Sequence, residues 1–321
     1  MLREGKVLII GSSNVDLNIY SNKFPIPGET VTGGTFVQSF GGKGANQAVA
    51  SVRSGSKTAF IGKLGQDTFG DQMIENLNQE GIDVHKVFRD LKYASGVAFI
   101  LIDSSGQNMI SVAPGANQKL TPQDIISCKD LIQSAKTIIM QMEISLEVIQ
   151  AVLNCTQQKE ITTILNPAPF KPMTLDFIRQ FDIITPNENE ITQLHSSLGL
   201  STPKEGHLIE KLKAININLH EIGISNIVIT LGNKGCLVST PNDEFSYIDA
   251  IKVEAVDTVG AGDCFNGVLA SYLTRSKKLL EAAQLANVAA SIAVTRKGAQ
   301  LSMPYEAEIQ TQFESLYGKT I

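Results

Sequence analysis

Val256-Asp257-Thr258-Val259-Gly260-Ala261-Gly262-Asp263-Cys264-Phe265-Asn266-Gly267 is the stretch around which the rest of the chain is organised. A short apolar segment, residues 253–256, runs into a glycine-rich turn. Phe265, Val268, Leu269, Tyr272 and Leu273 then recur at helical spacing, so a helix opens at the turn. Gly260 and Gly262 let backbone amides face outward with no side chain in the way. Amides at a helix N-terminus suit an anion, and Asp263 stands at the mouth of that anion site. A carboxylate is a poor choice for holding an anion, because like charges repel. It fits a group that orients or deprotonates a hydroxyl while the hydroxyl attacks a phosphoryl group held by the amides. Taken alone, the segment fits equally a plain strand-to-helix turn with an acidic residue in its first turn.

The chain has 321 residues, 43% hydrophobic and 18% charged, an ordinary globular composition with room for a large core. A net charge of -5 and a pI near 5.5 argue against nucleic acid as a partner. No apolar run approaches the roughly 20 residues that span a bilayer, so no membrane partner is expected. Residues 1–5 lead straight into a strand and lack the form of a signal peptide. Cys128, Cys155, Cys236 and Cys264 are scattered and form no CxxC pair, and the four histidines have no ligand spacing with them. They read as reduced thiols in a cytoplasmic protein.

In chain order, residues 6–11 form a short apolar strand ending at Gly11, the pattern of a buried parallel sheet. Ser12 to Asp16 follow at its carboxyl end, where open α/β sheets place ligands. Residues 17–40 alternate and carry Pro25, Pro27, Gly28, Gly33 and Gly34, so they read as short strands and turns. A second glycine-rich turn, Gly41-Gly42-Lys43-Gly44-Ala45-Asn46-Gln47, opens a helix packed through Ala45, Ala48, Val49 and Val52. It lacks the spacing of a Walker A loop. A plain turn opening a helix accounts for the glycines but not for the polar Lys43 and Asn46. Another strand spans 58–62 and a helix about 69–80. Residues 96–102 and 108–112 form a hairpin. Two β excursions, about 15–40 and 95–113, suggest one small sheet covering the main domain as a lid.

From about residue 121 the βα alternation is regular, with strands at 137–141, 161–165, 183–185, 227–231 and 236–239, and an Ala-rich helix at 281–294. Near-continuous apolar strands indicate a sheet covered on both faces. Polar residues stand at successive strand ends: Glu143, then Asn166, then Asn187 to Glu190, then Thr230 to Gly235. Loops are polar anyway, but a ligand crevice accounts better for the whole set. No dinucleotide fingerprint is present, since position 265 is Phe where a third glycine is required. The fold class expected is α/β, one doubly wound, mostly parallel sheet in a single domain over 1–321 with the small β lid.

The two glycine-rich segments, 41–47 and 257–263, closely resemble the two signature segments of the ribokinase-like carbohydrate kinases. The likeness extends to Gly11 to Asp16, Pro27 to Thr30, Asn166 to Pro169, Thr185 to Glu188, Thr230 to Gly232 and Ala293 to Gln300, and so covers nearly the whole chain. The resemblance implies transfer of a phosphoryl group from ATP to the 5-hydroxyl of D-ribose. By position, Asn14, Asp16, Gly42, Lys43, Asn46 and Glu143 would bind the sugar, a set that suits a neutral polyol. Asp263 would be the catalytic base, also touching the sugar, with the amides of Gly260, Ala261 and Gly262 as anion hole. Asn187, Thr230, Gly232, Gly235, Gly262 and Asn287 would bind ATP. Glu190 would place Mg²⁺. Asp257, Val259, Ala293, Arg296, Gly298 and Ser302 would hold K⁺, mostly through carbonyls. The resemblance also implies a homodimer joined through the lids. Kinases for deoxyribose, fructose or adenosine, and a catalytically silent binding protein, are the alternatives. Cys264 departs from the Ser or Thr common after the catalytic Asp. It reads as a packed small residue or as an oxidation-sensitive thiol.

Overall fold

The computed structural model describes residues 5–157, 159–201, 206–242 and 244–318, so Met1 to Glu4 of the expected leaderless start lie outside it. Two sheets form. The strands, in chain order, are β1 (Lys6–Ile10), β2 (Asn14–Tyr20), β3 (Thr35–Gly41), β4 (Lys57–Gly65), β5 (Asp83–Asp90), β6 (Gly96–Ile102), β7 (Asn108–Ala113), β8 (Ala135–Gln141), β9 (Thr162–Asn166), β10 (Ile183–Ile184), β11 (Asn226–Thr230), β12 (Cys236–Ser239) and β13 (Phe245–Ile248). The nine-stranded sheet runs β13-β12-β11-β10-β9-β8-β1-β4-β5, and a separate four-stranded sheet runs β3-β2-β6-β7. The large sheet is parallel from β5 to β11. Antiparallel β12 and β13 close one edge.

The apolar strands exist because both faces of this sheet are buried. Val7 and Ile9 of β1 enter one core while Leu8 and Ile10 enter the other; Ile139 of β8 and Val228 of β11 likewise oppose Ile138 and Ile229. Period-two alternation thus feeds two hydrophobic layers instead of one core and water. The expected helices at 69–80 and 281–294 occur as Thr68–Gln79 and Leu279–Ala293. Two strands escape the sequence reading, β5 and β13. Both lie at sheet edges, where one-sided burial leaves mixed sequences, DVHKVFRD and FSYI. Residues 253–256 form no strand, and Val253 and Val256 are exposed.

Strand order reverses at β1. The chain moves from β1 to β4 and β5 on one side, then returns to β8 and continues through β9, β10 and β11 on the other. A crevice at the carboxyl ends of β1 and β8 follows from this reversal. The four-stranded sheet rises from the same place: β2 leaves the end of β1, pairs antiparallel with β3, and pairs parallel with β6 from the second excursion.

Two helices point their N-termini at the crevice, Lys43–Arg53 and Ala261–Thr274. The first sits so close to the end of β1 that a Cβ on Gly44 would lie 2.8 Å from the carbonyl carbon of Gly11 and the nitrogen of Ser12. Backbone cannot step aside as a flexible side chain can. Gly44→Ala should therefore cost on the order of 1–3 kcal/mol of stability by overpacking. Urea unfolding checks this, and a midpoint equal to that of the native chain would refute the close approach.

Candidate active site

Asp263 is buried in the first turn of the Ala261–Thr274 helix. Its Oδ2 accepts from Asn46 Nδ2 at 2.9 Å and its Oδ1 from Gln47 Nε2 at 3.0 Å. The two donors are neighbours at the start of the Lys43–Arg53 helix, so the carboxylate of one helix is clamped by two amides of the other. Gln47 is itself held. Its Nε2 also reaches Asn166 Oδ1 at 3.2 Å, and its Oε1 accepts from Gln141 Nε2 at 2.6 Å. Asn166 Nδ2 continues the chain to the Thr185 carbonyl at 3.0 Å. Both oxygens of Asp263 keep lone pairs for a substrate hydroxyl. The buried Oδ1 of Asn46 has no partner among the described residues.

Gln47 and Gln141 were given no individual role by the sequence reading, and Asn166 was expected only as a polar strand end of the ligand crevice. Gln141 carries a faint signal, as a fully buried amide ending the otherwise apolar β8. Gln47 carries none, because its role depends on a partner distant in sequence.

The expected sugar-binding residues converge around this clamp. Glu143, beyond the end of β8, accepts from the Lys43 backbone amide at 3.1 Å and from the Ser12 hydroxyl. Asn14 and Asp16 lie two residues apart on β2, hence on one face. Burial, reinforced by the charge of Glu143, raises Asp16 from its ordinary 3.8 to about 7. Asp263, together with Glu143 and Glu190, holds the half-buried Lys43 ammonium above its usual value despite desolvation. Burial also raises Glu190, a rise that the Asn187 amide and Lys43 partly offset and Asp263 assists. One ammonium thus interacts with three carboxylates, those of Asp263, Glu143 and Glu190.

Beside the turn that leads into Asp263 lies a cavity of about 480 Å³ whose wall includes Thr230, Gly232, Gly235, Gly262 and Asn287. All five are expected ATP-binding residues. Asn287 Nδ2 donates to the Asp249 carbonyl at 2.9 Å. Asn187 is not in that wall; it bridges to Thr230, and its side chain caps the Glu188–Ser197 helix in a reciprocal box with Glu190. Residues 250–255 contribute much of the remaining wall, including Ala250, Lys252 and Val253. Sequence reading took this segment only as an approach to the turn.

At the helix N-terminus, Gly260 adopts φ 76°, a left-handed conformation that favours glycine. The Ala261 amide is engaged by the Thr258 carbonyl at 3.2 Å. The amides of Gly260 and Gly262 have no acceptor among the described residues. A Cβ on Gly262 would meet nothing within 4 Å, so open space lies directly above this turn. The neighbouring Cys264 is fully buried, and burial, aided by Asp263, pushes its thiol well up. That environment disfavours the reactive thiolate and supports the packed-residue reading.

The residues expected around K⁺ are also brought together. Asp257 accepts from the Val259 amide at 3.0 Å and the Gly298 amide at 2.9 Å. Val294 O accepts from the amides of Val256 and Asp257 at 2.7 and 3.2 Å. Ser302 is buried, with its hydroxyl on the Ala299 carbonyl at 2.8 Å, and the Ala293 carbonyl accepts from the Arg296 amide at 3.0 Å. The Arg296 guanidinium turns away to Glu308, so only its backbone is left for this region. Among the described residues no cluster of three or more His, Cys, Asp or Glu side chains could hold a metal ion.

The raised Asp16 carries a stability cost with a defined sign. Between about pH 4 and 7 the folded chain retains a proton that the unfolded chain releases, so stability falls as pH rises through that window. Asp16→Asn should therefore be more stable than the native chain at pH 8 by roughly 1–3 kcal/mol, with the difference shrinking toward pH 4. Chemical unfolding at pH 8 and pH 5 measures it, and equal stability at pH 8 would contradict the assignment.

Comparison with known proteins agrees with this geometry. The model of the pfkB family of carbohydrate kinases matches residues 4–306. Ribokinase from Staphylococcus aureus is 37% identical over 307 residues, covering 95% of this chain and 98% of that protein. Deoxyribokinase from Salmonella typhimurium is 36% identical over 299 residues, covering 93% and 95%. The structure of Arabidopsis thaliana ribokinase complexed with ribose and ATP superposes with a TM-score of 0.88 at 27% identity, covering 97% of this chain and 99% of that one.

Proposed function

The chain belongs to the pfkB family of carbohydrate kinases, and on that premise we propose that it phosphorylates the 5-hydroxyl of D-ribose at the expense of ATP. It is a phosphotransferase with an alcohol group as acceptor. The observation that carries the reading is the position of Asp263, clamped by Asn46 and Gln47 at the start of one helix and following Gly262, which lines the 480 Å³ cavity. A sugar beside the clamp and ATP in the cavity would meet at that carboxylate.

The chemistry follows from the residues. Asn14, Asp16, Lys43, Asn46 and Glu143, with the Gly42 backbone, hold the sugar. Asp263 accepts a hydrogen bond from the hydroxyl being phosphorylated and takes its proton as the bond to phosphorus forms. An aspartate is base enough, because the transition state of phosphoryl transfer is loose and needs the proton removed late. The free amides of Gly260 and Gly262, with that of Ala261 turned from its local bond, stabilise charge on the phosphoryl oxygens. Thr230, Gly232, Gly235 and Asn287 line the nucleotide pocket, with Asn187 placed beside them through Thr230.

The excess of carboxylates fits cations. Glu190, whose second oxygen is free of the capping box, would hold Mg²⁺ largely through water. The ion would offset negative charge on the ATP phosphates. K⁺ would be held by Asp257 and the carbonyls of Val259, Ala293, Arg296 and Gly298 with Ser302, and it would fix the loop that carries the anion-hole amides. No helix among the described residues is long and apolar enough to cross a membrane; we read the enzyme as cytoplasmic.

The small sheet acts as a lid, and its exposed apolar residues argue for a homodimer. Phe36, Phe99, Met109 and Ile110 are each more than half exposed, and strands β3 and β7 are unpaired edges. Joining two lids would cover both. Sedimentation at micromolar concentration should give the dimer; a clean monomer would refute it.

The similarity to a deoxyribokinase makes 2-deoxyribose the competing substrate. ATP consumption with D-ribose, 2-deoxyribose, fructose and adenosine, each with and without K⁺, separates the readings. Ribose should give the highest kcat/KM, K⁺ should raise it, and Asp263→Asn should lower kcat by about 10²–10⁴-fold. Preference for another sugar, lost in the same variant, would overturn the substrate and keep the mechanism.

A further inference from the structure

We propose that Asn117 is a positioning residue for substrate binding: it fixes the Asn14 carboxamide so that Asn14 offers N–H, and not a carbonyl oxygen, to the sugar. The proposal rests on the sugar-kinase reading above.

Asn117 is 2% exposed and lies just past β7, where the chain returns from the small sheet. Its orientation is set by the backbone. Oδ1 accepts from the Ser13 amide at 3.0 Å, and Nδ2 donates to the Ser13 carbonyl at 3.1 Å. A backbone N–H can only donate and a carbonyl can only accept, so the amide of Asn117 cannot be flipped without breaking both bonds. The same Nδ2 donates to Asn14 Oδ1 at 2.8 Å. Asn14 must then present its oxygen to Asn117, which leaves Asn14 Nδ2, with no partner among the described residues, as its group for a ligand.

The pair is also held sterically. Gly96 is the pairing partner of Asn14 at the start of β6. A Cβ there would lie 2.1 Å from Asn14 Oδ1 and 2.3 Å from Asn117 Nδ2, so the lid strand packs directly onto the two amides. Asn14 as donor complements Asp16, an acceptor when ionised, on the same face of β2. A polyol hydroxyl both donates and accepts, and a donor beside an acceptor engages neighbouring hydroxyls in both senses. If Asn14 turned its oxygen outward, two acceptors would stand side by side and one sugar contact would be lost.

Asn117→Asp tests this. The substitution keeps shape and the acceptor for the Ser13 amide but removes the donor. Asn14 should then turn its own Nδ2 toward the new carboxylate and face the sugar with oxygen. Asn14→Asp presents an acceptor to the sugar while leaving Asn117 intact. Both variants should raise KM for D-ribose by about ten-fold or more, with kcat within about three-fold and KM for ATP unchanged, because Asp263 and the nucleotide pocket are untouched. An Asn117→Asp enzyme with native KM for ribose would overturn the proposal. So would a parallel worsening of kcat, both KM values and the thermal midpoint, which a purely structural role predicts. If Asn117→Asp does not fold, Asn14→Asp decides, and a native KM there would refute the donor assignment. A native protein that turns over ATP with another sugar and not with ribose would instead mark failure of the substrate reading, seen before any variant is made.

Discussion

The clamp of Asn46 and Gln47 on Asp263 is the constraint around which the site is built. It joins two helix N-termini that arise 217 residues apart and fixes both at the carboxyl ends of β1 and β8. Close packing enforces it, since a Cβ on Gly267 would lie 2.3 Å from the Gln47 carbonyl oxygen. One helix therefore brings Lys43, Asn46 and Gln47 and the other brings Asp263 with its glycine turn, and neither can shift without breaking a buried charge-assisted bond. The chain Gln141–Gln47–Asn166 extends this rigidity into the sheet through β8 and β9. Precision at the reacting atoms thus derives from regular elements and not from loops.

Electrostatics complete the arrangement. Three carboxylates act on Lys43, and burial raises Asp16 and Glu190 with a smaller push from the neighbouring acids Glu143 and Asp263. Such a site is costly to the empty fold, a common exchange of stability for function. It also separates the roles of the acids. Asp263 is held by two amide donors, whereas Asp16 is desolvated beside Glu143. The first environment suits a carboxylate that must stay oriented, the second one that waits for hydroxyl donors.

Much of this was legible in the sequence, for reasons that differ by element. The central strands were visible because burial on both faces demands continuous apolar runs, as KVLII of β1 shows. The edge strands β5 and β13 lack that demand and were missed. Glycine-rich turns were visible because backbone amides and close approach require small residues at fixed spacing, and the polar Lys43, Asn46 and Asp263 stood out against them. Gln47, Gln141 and Asn117 did not stand out. A buried amide network has no sequence period, and each amide acquires meaning only from a partner brought in by the fold. Residues 250–255 were misjudged for the opposite reason: Val253 looks like core material but helps wall the large cavity.

The root of the small sheet explains why a lid built from two excursions can act as one body. Every connection between the sheets passes a single knot. β2 leaves through Ser13 and Asn14, β3 returns through Gly41 and Gly42, β6 departs after Ser95, and β7 comes back to Asn117. A Cβ on Gly42 would lie 2.7 Å from Ser13 Cα, Asp67 holds Ser95 through its amide and hydroxyl, both at 2.7 Å, and Ala116 N bonds to Ala94 O at 2.8 Å. Strand pairing alone would join the excursions but leave their angle to the large sheet soft. Tying all four roots around Ser13 and Asn14 makes that angle depend on contacts at the start of β2, where the proposed sugar-binding Asn14 stands.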